Sequence, residues 1–224
     1  MSEGTDTGGG IEVLPAGPGA LLVELSSGEH AEAFHAELLR RRALGELPLV
    51  REIVPGARTV LLDGIADRTP DATARLARML VSWRIPPLRR DAGDAVVVPV
   101  VYDGPDLGDV AAAWGVTAAE VSRIHAGTEF RVAFCGFAPG FGYLTGLPAH
   151  LHVPRRATPR TRVPAGALAL AGVYTGVYPR SSPGGWQLIG RMPEPGALWN
   201  PDREPAALLT PGARVRFVAA EARR

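Results

Sequence analysis

Apolar and polar positions change rhythm about halfway along the chain. In the first half, β-rich runs alternate with runs of helical period. Ile11–Leu14 and Ala20–Leu25 read as strands separated by the turn-forming stretch PAGPG. Ser26–Ser27–Gly28–Glu29 offers a capping-box start, and Ala31, Phe34, Leu38 and Leu39 then recur at helical spacing as far as Arg40–Arg42. Leu49–Val54 and Thr59–Leu62 predict two short strands joined at Pro55–Gly56. Thr69–Pro70 caps a second helix whose apolar face is Ala72, Leu76, Met79, Leu80 and Trp83, and Val96–Val101 closes the half as a last strand. The order βαββαβ predicts a ferredoxin-like domain over residues 11–104, preceded by a small, polar, flexible tail over residues 1–10.

Asp106 then caps a short helix over Leu107–Trp114, and Thr117 with Glu120 forms a capping box for another that ends near Ala126–Gly127. From Phe130 the texture is different. Residues 125–224 hold 13 Gly and 12 Pro, and between them lie the short apolar runs Phe130–Phe134, Leu168–Ala171, Trp186–Ile189 and Arg214–Val218. Turns this frequent predict an all-β barrel or sandwich over residues 105–224, with the prolines in long, stiff loops. The fold class is therefore α+β.

Composition narrows the chemistry. All 24 basic side chains are arginine, so no lysine can form a Schiff base, hold a phosphate or carry biotin on this chain. The first 104 residues carry 11 Arg against 15 acids and the rest 13 Arg against 8, an excess too small and scattered for nucleic acid. Cys135 is the single cysteine, which rules out an internal disulfide and fits a reducing compartment. No signal-peptide pattern and no bilayer-length apolar run is present, so a cytoplasmic protein with no membrane partner is expected.

Three segments concentrate the candidate chemistry. Gly136–Phe137–Ala138–Pro139–Gly140–Phe141–Gly142–Tyr143–Leu144 combines glycine turns with flat aromatic surfaces. Pro159–Arg160–Thr161–Arg162–Val163–Pro164–Ala165–Gly166 sets arginines between prolines, where a two-pronged hold on a carboxylate or phosphate is favoured. Tyr178–Pro179–Arg180–Ser181–Ser182–Pro183–Gly184–Gly185–Trp186 could cup an anion on successive N–H groups. Turn chemistry with aromatic plugs explains the same segments without a ligand.

Taken in order, these segments resemble one family. The matching features run from Pro99–Val100, Tyr102–Asp103, Asp106–Leu107 and His125 through the GFAPGFGYL segment, Pro159–Arg160 and Val163–Pro164–Ala165–Gly166. They continue with Thr175–Gly176, Tyr178–Pro179, Ser182–Pro183–Gly184–Gly185–Trp186, Ile189–Gly190–Arg191 and Pro211–Gly212. The chain is similar to the B subunit of bacterial 5-oxoprolinase, also labelled allophanate hydrolase subunit 1. That family includes an inhibitor of a sporulation sensor kinase and resembles half of the carboxyltransferase domain of urea carboxylases. The resemblance implies a cyclophilin-like barrel in the second half. It also implies two partners, a 5-oxoprolinase C subunit with a related barrel and an A subunit of separate fold. It implies an ATP-dependent opening of 5-oxoproline to glutamate, with Mg²⁺ beside the nucleotide, and any biotin would sit on another chain. The alternatives it leaves are a regulator of a sensor histidine kinase and a carboxyltransferase-type subunit. The sequence departs from the family pattern at Ala167, Tyr174, Met192 and Ala213.

His125, in the last turn of its helix, is a candidate for substrate binding or proton transfer, because a helix C-terminus favours imidazolium; a structural hydrogen-bonder is the other reading. Arg160 is the first candidate to hold an anion, with Arg156, Arg162 and Arg191 behind it. Phe137, Pro139, Phe141, Tyr143, Gly166, Tyr178, Gly184, Gly185 and Trp186, with Arg156 and Arg191, are the candidate substrate- or nucleotide-binding residues. His150 and His152 lack a third ligand, so no metal site is expected.

Overall fold

The computed structural model describes residues 10–66, 70–88 and 94–221. The expected N-terminal tail, apart from Gly10, and the Thr69 cap lie outside them. The chain divides into two compact units, Met1–Asp91 and Ala92–Arg224.

The first unit is an antiparallel sheet covered by two helices. Its strands are β1 (Glu12–Pro15), β2 (Ala20–Glu24), β3 (Val50–Pro55) and β4 (Thr59–Ile65), in the order β1-β2-β4-β3. Helix α1 (Gly28–Ala43) connects β2 to β3, and α2 (Pro70–Val81) follows β4. Because β4 lies between β2 and β3 and runs against both, β2-α1-β3 is a split β-α-β unit. Phe34, Leu38, Leu76 and Leu80 of the helices meet Leu21, Val23, Val60 and Leu62 of the sheet. The α1 face departs from its apolar pattern. Leu39 is partly exposed, while Glu37 is buried and receives hydrogen bonds from Arg40 and Arg41. The Arg40 hydrogen bond is the largest influence, and together these contacts hold the Glu37 carboxyl down to about 2 despite its burial. Ser27, not Ser26, caps α1, accepting the His30 N–H, so the expected reciprocal glutamate contact does not form.

The second unit is a barrel-like sheet. Its strands are β5 (Val96–Val100), β6 (Glu129–Cys135), β7 (Gly142–Thr145), β8 (Arg160–Val163), β9 (Ala167–Ala171), β10 (Tyr174–Val177), β11 (Ser182–Gly184), β12 (Gln187–Arg191) and β13 (Arg214–Ala219). Helices α3 (Leu107–Trp114) and α4 (Ala118–Gly127) sit between β5 and β6 with the expected bounds, and the Thr117–Glu120 capping box is fully formed. Seven strands join in the order β12-β9-β10-β7-β6-β13-β5, with β8 and β11 as a separate ribbon. Val101 and Arg191 exchange two backbone hydrogen bonds of 2.8 Å, which brings the two edges together. Only glycine fits at Gly190, because a Cβ there would collide with the Val101 carbonyl.

One expectation is corrected here. The strand at Val96–Val101 does not complete the first domain; it pairs in parallel with β13 of the second. Val98 and Val100 alternate into the barrel core beside Val215 and Phe217, and Pro99, lacking an N–H, is accommodated on a strand that is an edge along most of its length. The edge place beside β2 that such a strand would take is held by β1.

Strand β9 positions the site. It is buried on both faces, which explains its unbroken apolar run. Leu168 and Leu170 face the barrel core, while Ala167, Ala169 and Ala171 face a second cluster that includes Phe141, Tyr178 and Trp186. The small alanines leave room for that aromatic layer against the barrel wall.

Candidate functional site

The aromatic layer opens into a cavity of about 160 Å³, lined by Phe137, Phe141, Tyr143, Arg155, Tyr178, Pro183, Gly184, Gly185 and Trp186. Its walls come from segments far apart in sequence. The loop before β7 contributes Phe137 and Phe141, and it is closed on itself by Ala138 N–H to Gly136 O at 2.7 Å and Phe141 N–H to Ala138 O at 2.9 Å. Phe137, the centre of the tighter turn, has φ +67°, a conformation that costs a non-glycine residue about 1–3 kcal/mol. Its ring is nonetheless 57% exposed, over the cavity's edge. Buried Phe141 meets Tyr143, Tyr178 and Trp186 edge-on at 4.9, 5.3 and 5.6 Å between centroids.

Tyr178 is fixed by its backbone: its N–H donates to Ala167 O, and its carbonyl accepts from Gly166. Gly184 lets the Tyr178 hydroxyl into the cavity wall, since a Cβ there would collide with that oxygen. Arg155 is set by its neighbour, whose N–H donates to Gly185 O at 2.7 Å. Burial raises the Tyr178 phenol, Tyr143 raises it further and the Arg155 charge opposes both. Burial likewise raises Tyr143 against Arg155. Both phenols therefore stay protonated at neutral pH. Neither hydroxyl has a hydrogen-bond partner among the described residues, and Arg155 has no ion-pair partner there.

The other expected site residues are elsewhere. Arg160 does hold a carboxylate, but that carboxylate belongs to this chain. It grips Asp106 with two hydrogen bonds of 2.8 and 2.7 Å, and Arg156 adds a third of 2.7 Å. The Leu188 N–H supplies a fourth of 2.6 Å, so the 2%-exposed carboxylate is saturated. Burial alone would raise the Asp106 carboxyl. The Arg160 and Leu188 hydrogen bonds and the charges of Arg160 and Arg156 outweigh that and hold it below the ordinary range. Asp106 therefore makes no side-chain cap for α3; its carboxylate ties the start of that helix to β12 and to the start of β8. Arg191 pairs with Asp103 on the surface, and Arg162 donates to Ser181.

His125 is fully buried in the barrel core, 4.8 Å between ring centroids from both Phe130 and Phe217. Its Nδ1 shares a 2.9 Å hydrogen bond with the Tyr102 hydroxyl. Burial depresses its pKa to about 3, so the imidazole is neutral and the helix terminus does not make it a cation. Pro139 and Gly166 shape the loops behind the cavity without lining it. Burial pushes the Cys135 thiol up to about 11, and it donates to Leu209 O. Among the described residues no three His, Cys, Asp or Glu side chains come together as metal ligands. Of the four positions that depart from the family pattern, Ala167 and Met192 are buried, and none lines the cavity.

Seven of the nine lining residues are among those expected from the sequence; Pro183 and Arg155 are not. The signal for Arg155 was the Arg155–Arg156 pair itself. Neighbours in an extended segment face opposite ways, so one arginine held by a buried partner leaves the other turned outward.

A family model described as "Carboxyltransferase domain, subdomain C and D" matches residues 11–209. The chain is 43% identical over 180 residues to the Escherichia coli O157:H7 protein named as the B subunit of 5-oxoprolinase, covering 78% of this chain and 80% of that one. A crystal structure of TTHA0988 superposes with TM-score 0.72 at 37% identity; the match takes in 91% of this chain but only 40% of the other, longer one. The urea carboxylase of Kluyveromyces lactis shares the fold at TM-score 0.68 and 18% identity, over 94% of this chain and 22% of that one.

Proposed function

Since the chain belongs to the carboxyltransferase domain, subdomain C and D, family, we propose that it is the B subunit of an ATP-dependent 5-oxoprolinase. In this reading it works with two partners, a cyclophilin-fold protein like the 5-oxoprolinase C subunit and a protein like the A subunit, to open 5-oxoproline to glutamate. The supporting observation is the cavity, because the motifs that carry the family resemblance are the ones that build its walls.

The chemistry explains why ATP is needed. Amide resonance makes the lactam carbonyl a poor electrophile. Transfer of the γ-phosphoryl of ATP to the carbonyl oxygen activates the carbon; one water adds there, the ring nitrogen leaves as the glutamate amine to give an acyl phosphate, and a second water releases phosphate to give the carboxylate. At about 160 Å³ the cavity is below the ~300–1,000 Å³ of sites for drug-sized ligands. It suits a five-membered lactam and not a nucleoside triphosphate. On the cavity's size, ATP and Mg²⁺ are assigned to the assembled complex and not to this cavity. This chain's part is to seat and orient the lactam.

The test is reconstitution. Purified chain mixed with its A-type and C-type partners should form glutamate from 5-oxoproline with matching ATP consumption; an assembled complex that forms none refutes the reading. The fold shared with urea carboxylase supports a second reading, a carboxyltransferase-type subunit. That role would draw its biotin from another chain, because every basic side chain here is arginine. Biotin-dependent carboxylation of a urea-like substrate by the same mixture would favour it.

A further inference from the structure

Six arginines lie in the segments that form or back the cavity; Arg180 is exposed and does not line it, and four of the others have partners within the chain. Arg156 and Arg160 are consumed by Asp106, Arg162 donates to Ser181, and Arg191 pairs with Asp103. Arg155 alone of these lines the cavity, and it has no ion-pair partner among the described residues. The Tyr178 hydroxyl, on a residue only 2% exposed, lines the same cavity within reach of the Arg155 charge and has no hydrogen-bond partner among the described residues. The ring is buried while its hydroxyl reaches the cavity, where it is free to meet a ligand. Phe141 and Trp186 supply apolar surface for a small ring. One guanidinium and two neutral hydroxyls lining a small apolar cavity suit a ligand that carries both a carboxylate and an amide-like polar group.

We propose that Arg155 is the specificity-determining residue of this cavity: it pairs with the carboxylate of a small cyclic amide acid, while the Tyr143 and Tyr178 hydroxyls meet the ring's polar edge. The choice of 5-oxoproline as that acid rests on the 5-oxoprolinase reading; the carboxylate site itself does not. Arg155 is held in place from behind. The backbone N–H of Arg156 is bonded to Gly185, and its guanidinium is locked to Asp106, so Arg155 is turned to the other side of an anchored segment.

The experiment measures binding to the whole purified chain by titration calorimetry. The probes are 5-oxoproline and 2-pyrrolidinone, the same lactam without the carboxylate. Wild type should bind 5-oxoproline at least about tenfold more tightly, the usual worth of one charge-assisted hydrogen bond. Arg155→Gln should abolish that preference without shifting the unfolding midpoint, because the side chain is exposed. Arg162→Gln should keep the preference. No binding of 5-oxoproline by wild type, equal binding of the two probes, or an unaltered preference in Arg155→Gln would each overturn the proposal. Its failure is separable from that of the enzymatic reading. A complex that makes no glutamate while the chain still discriminates through Arg155 removes the reading and leaves the site. An active complex in which Arg155→Gln leaves the KM for 5-oxoproline unchanged removes the site and leaves the reading.

Discussion

The Asp106 clasp permits a worked prediction. In Asp106→Ala two guanidiniums lose their counter-charge and the Leu188 N–H loses its acceptor. Removing one partner of a buried pair costs about 3–5 kcal/mol. Here the arginine side chains are 33% and 23% exposed, so water can reach them once the carboxylate is gone. That places the loss at the low end, about 3–4 kcal/mol, of which about 1–3 is the stranded N–H. Urea unfolding followed by near-ultraviolet circular dichroism is the assay, because the aromatic cluster of the second unit dominates that signal. Asp106→Asn keeps the shape and should fall between wild type and alanine. The pH dependence has a definite sign. The folded carboxyl is depressed, so its stabilisation is complete above the ordinary carboxylate pKa and is lost as pH falls through the folded value. The alanine variant should lack that acid-side decline. A loss below about 1 kcal/mol, the worth of an exposed ion pair, would refute the reasoning.

Two further outcomes follow from the same geometry. His125, neutral in the core with a pKa near 3 against an ordinary 6.5, makes its full contribution above about pH 6.5 and loses it as pH falls from there toward 3; an imidazole NMR titration with a midpoint near 6.5 would show that the ring is not buried as described. Phe137→Gly relieves the strain at φ +67° and should leave the unfolding midpoint equal or higher, by up to about 1 kcal/mol, while weakening 5-oxoproline binding; a destabilised variant would mean the aromatic ring contributes more to packing than its backbone costs.

Much of the site was legible in the sequence, for a physical reason. Glycines interleaved with Phe137, Phe141 and Tyr143, and the Ser-Pro-Gly-Gly-Trp turn, are costly as free loops. Their density marks places where backbone and rings must come close, as Gly184 does with the Tyr178 hydroxyl. What pattern could not supply was pairing. Val96–Val101 reads as a strand in any partner's company, and only the register with β13 assigns it to the barrel. Arg160 reads as an anion holder and is one, but the anion lies 54 positions earlier in the same chain. Segments that looked like loops also contain β7, β8, β10 and β11, because strands this short carry too few alternations to register as periodic.

By itself the sequence determined the two-part organisation, the helices α3 and α4, the family and the aromatic character of the pocket. It determined as well that the chain has no lysine. Those properties follow from local propensity and from motifs short enough to read in line. The tertiary structure alone decided which guanidiniums are occupied. Arg156 and Arg160 share one buried carboxylate distant in sequence, and Arg155 is left at the cavity because ion pairing depends on proximity in space, which spacing along a chain does not encode.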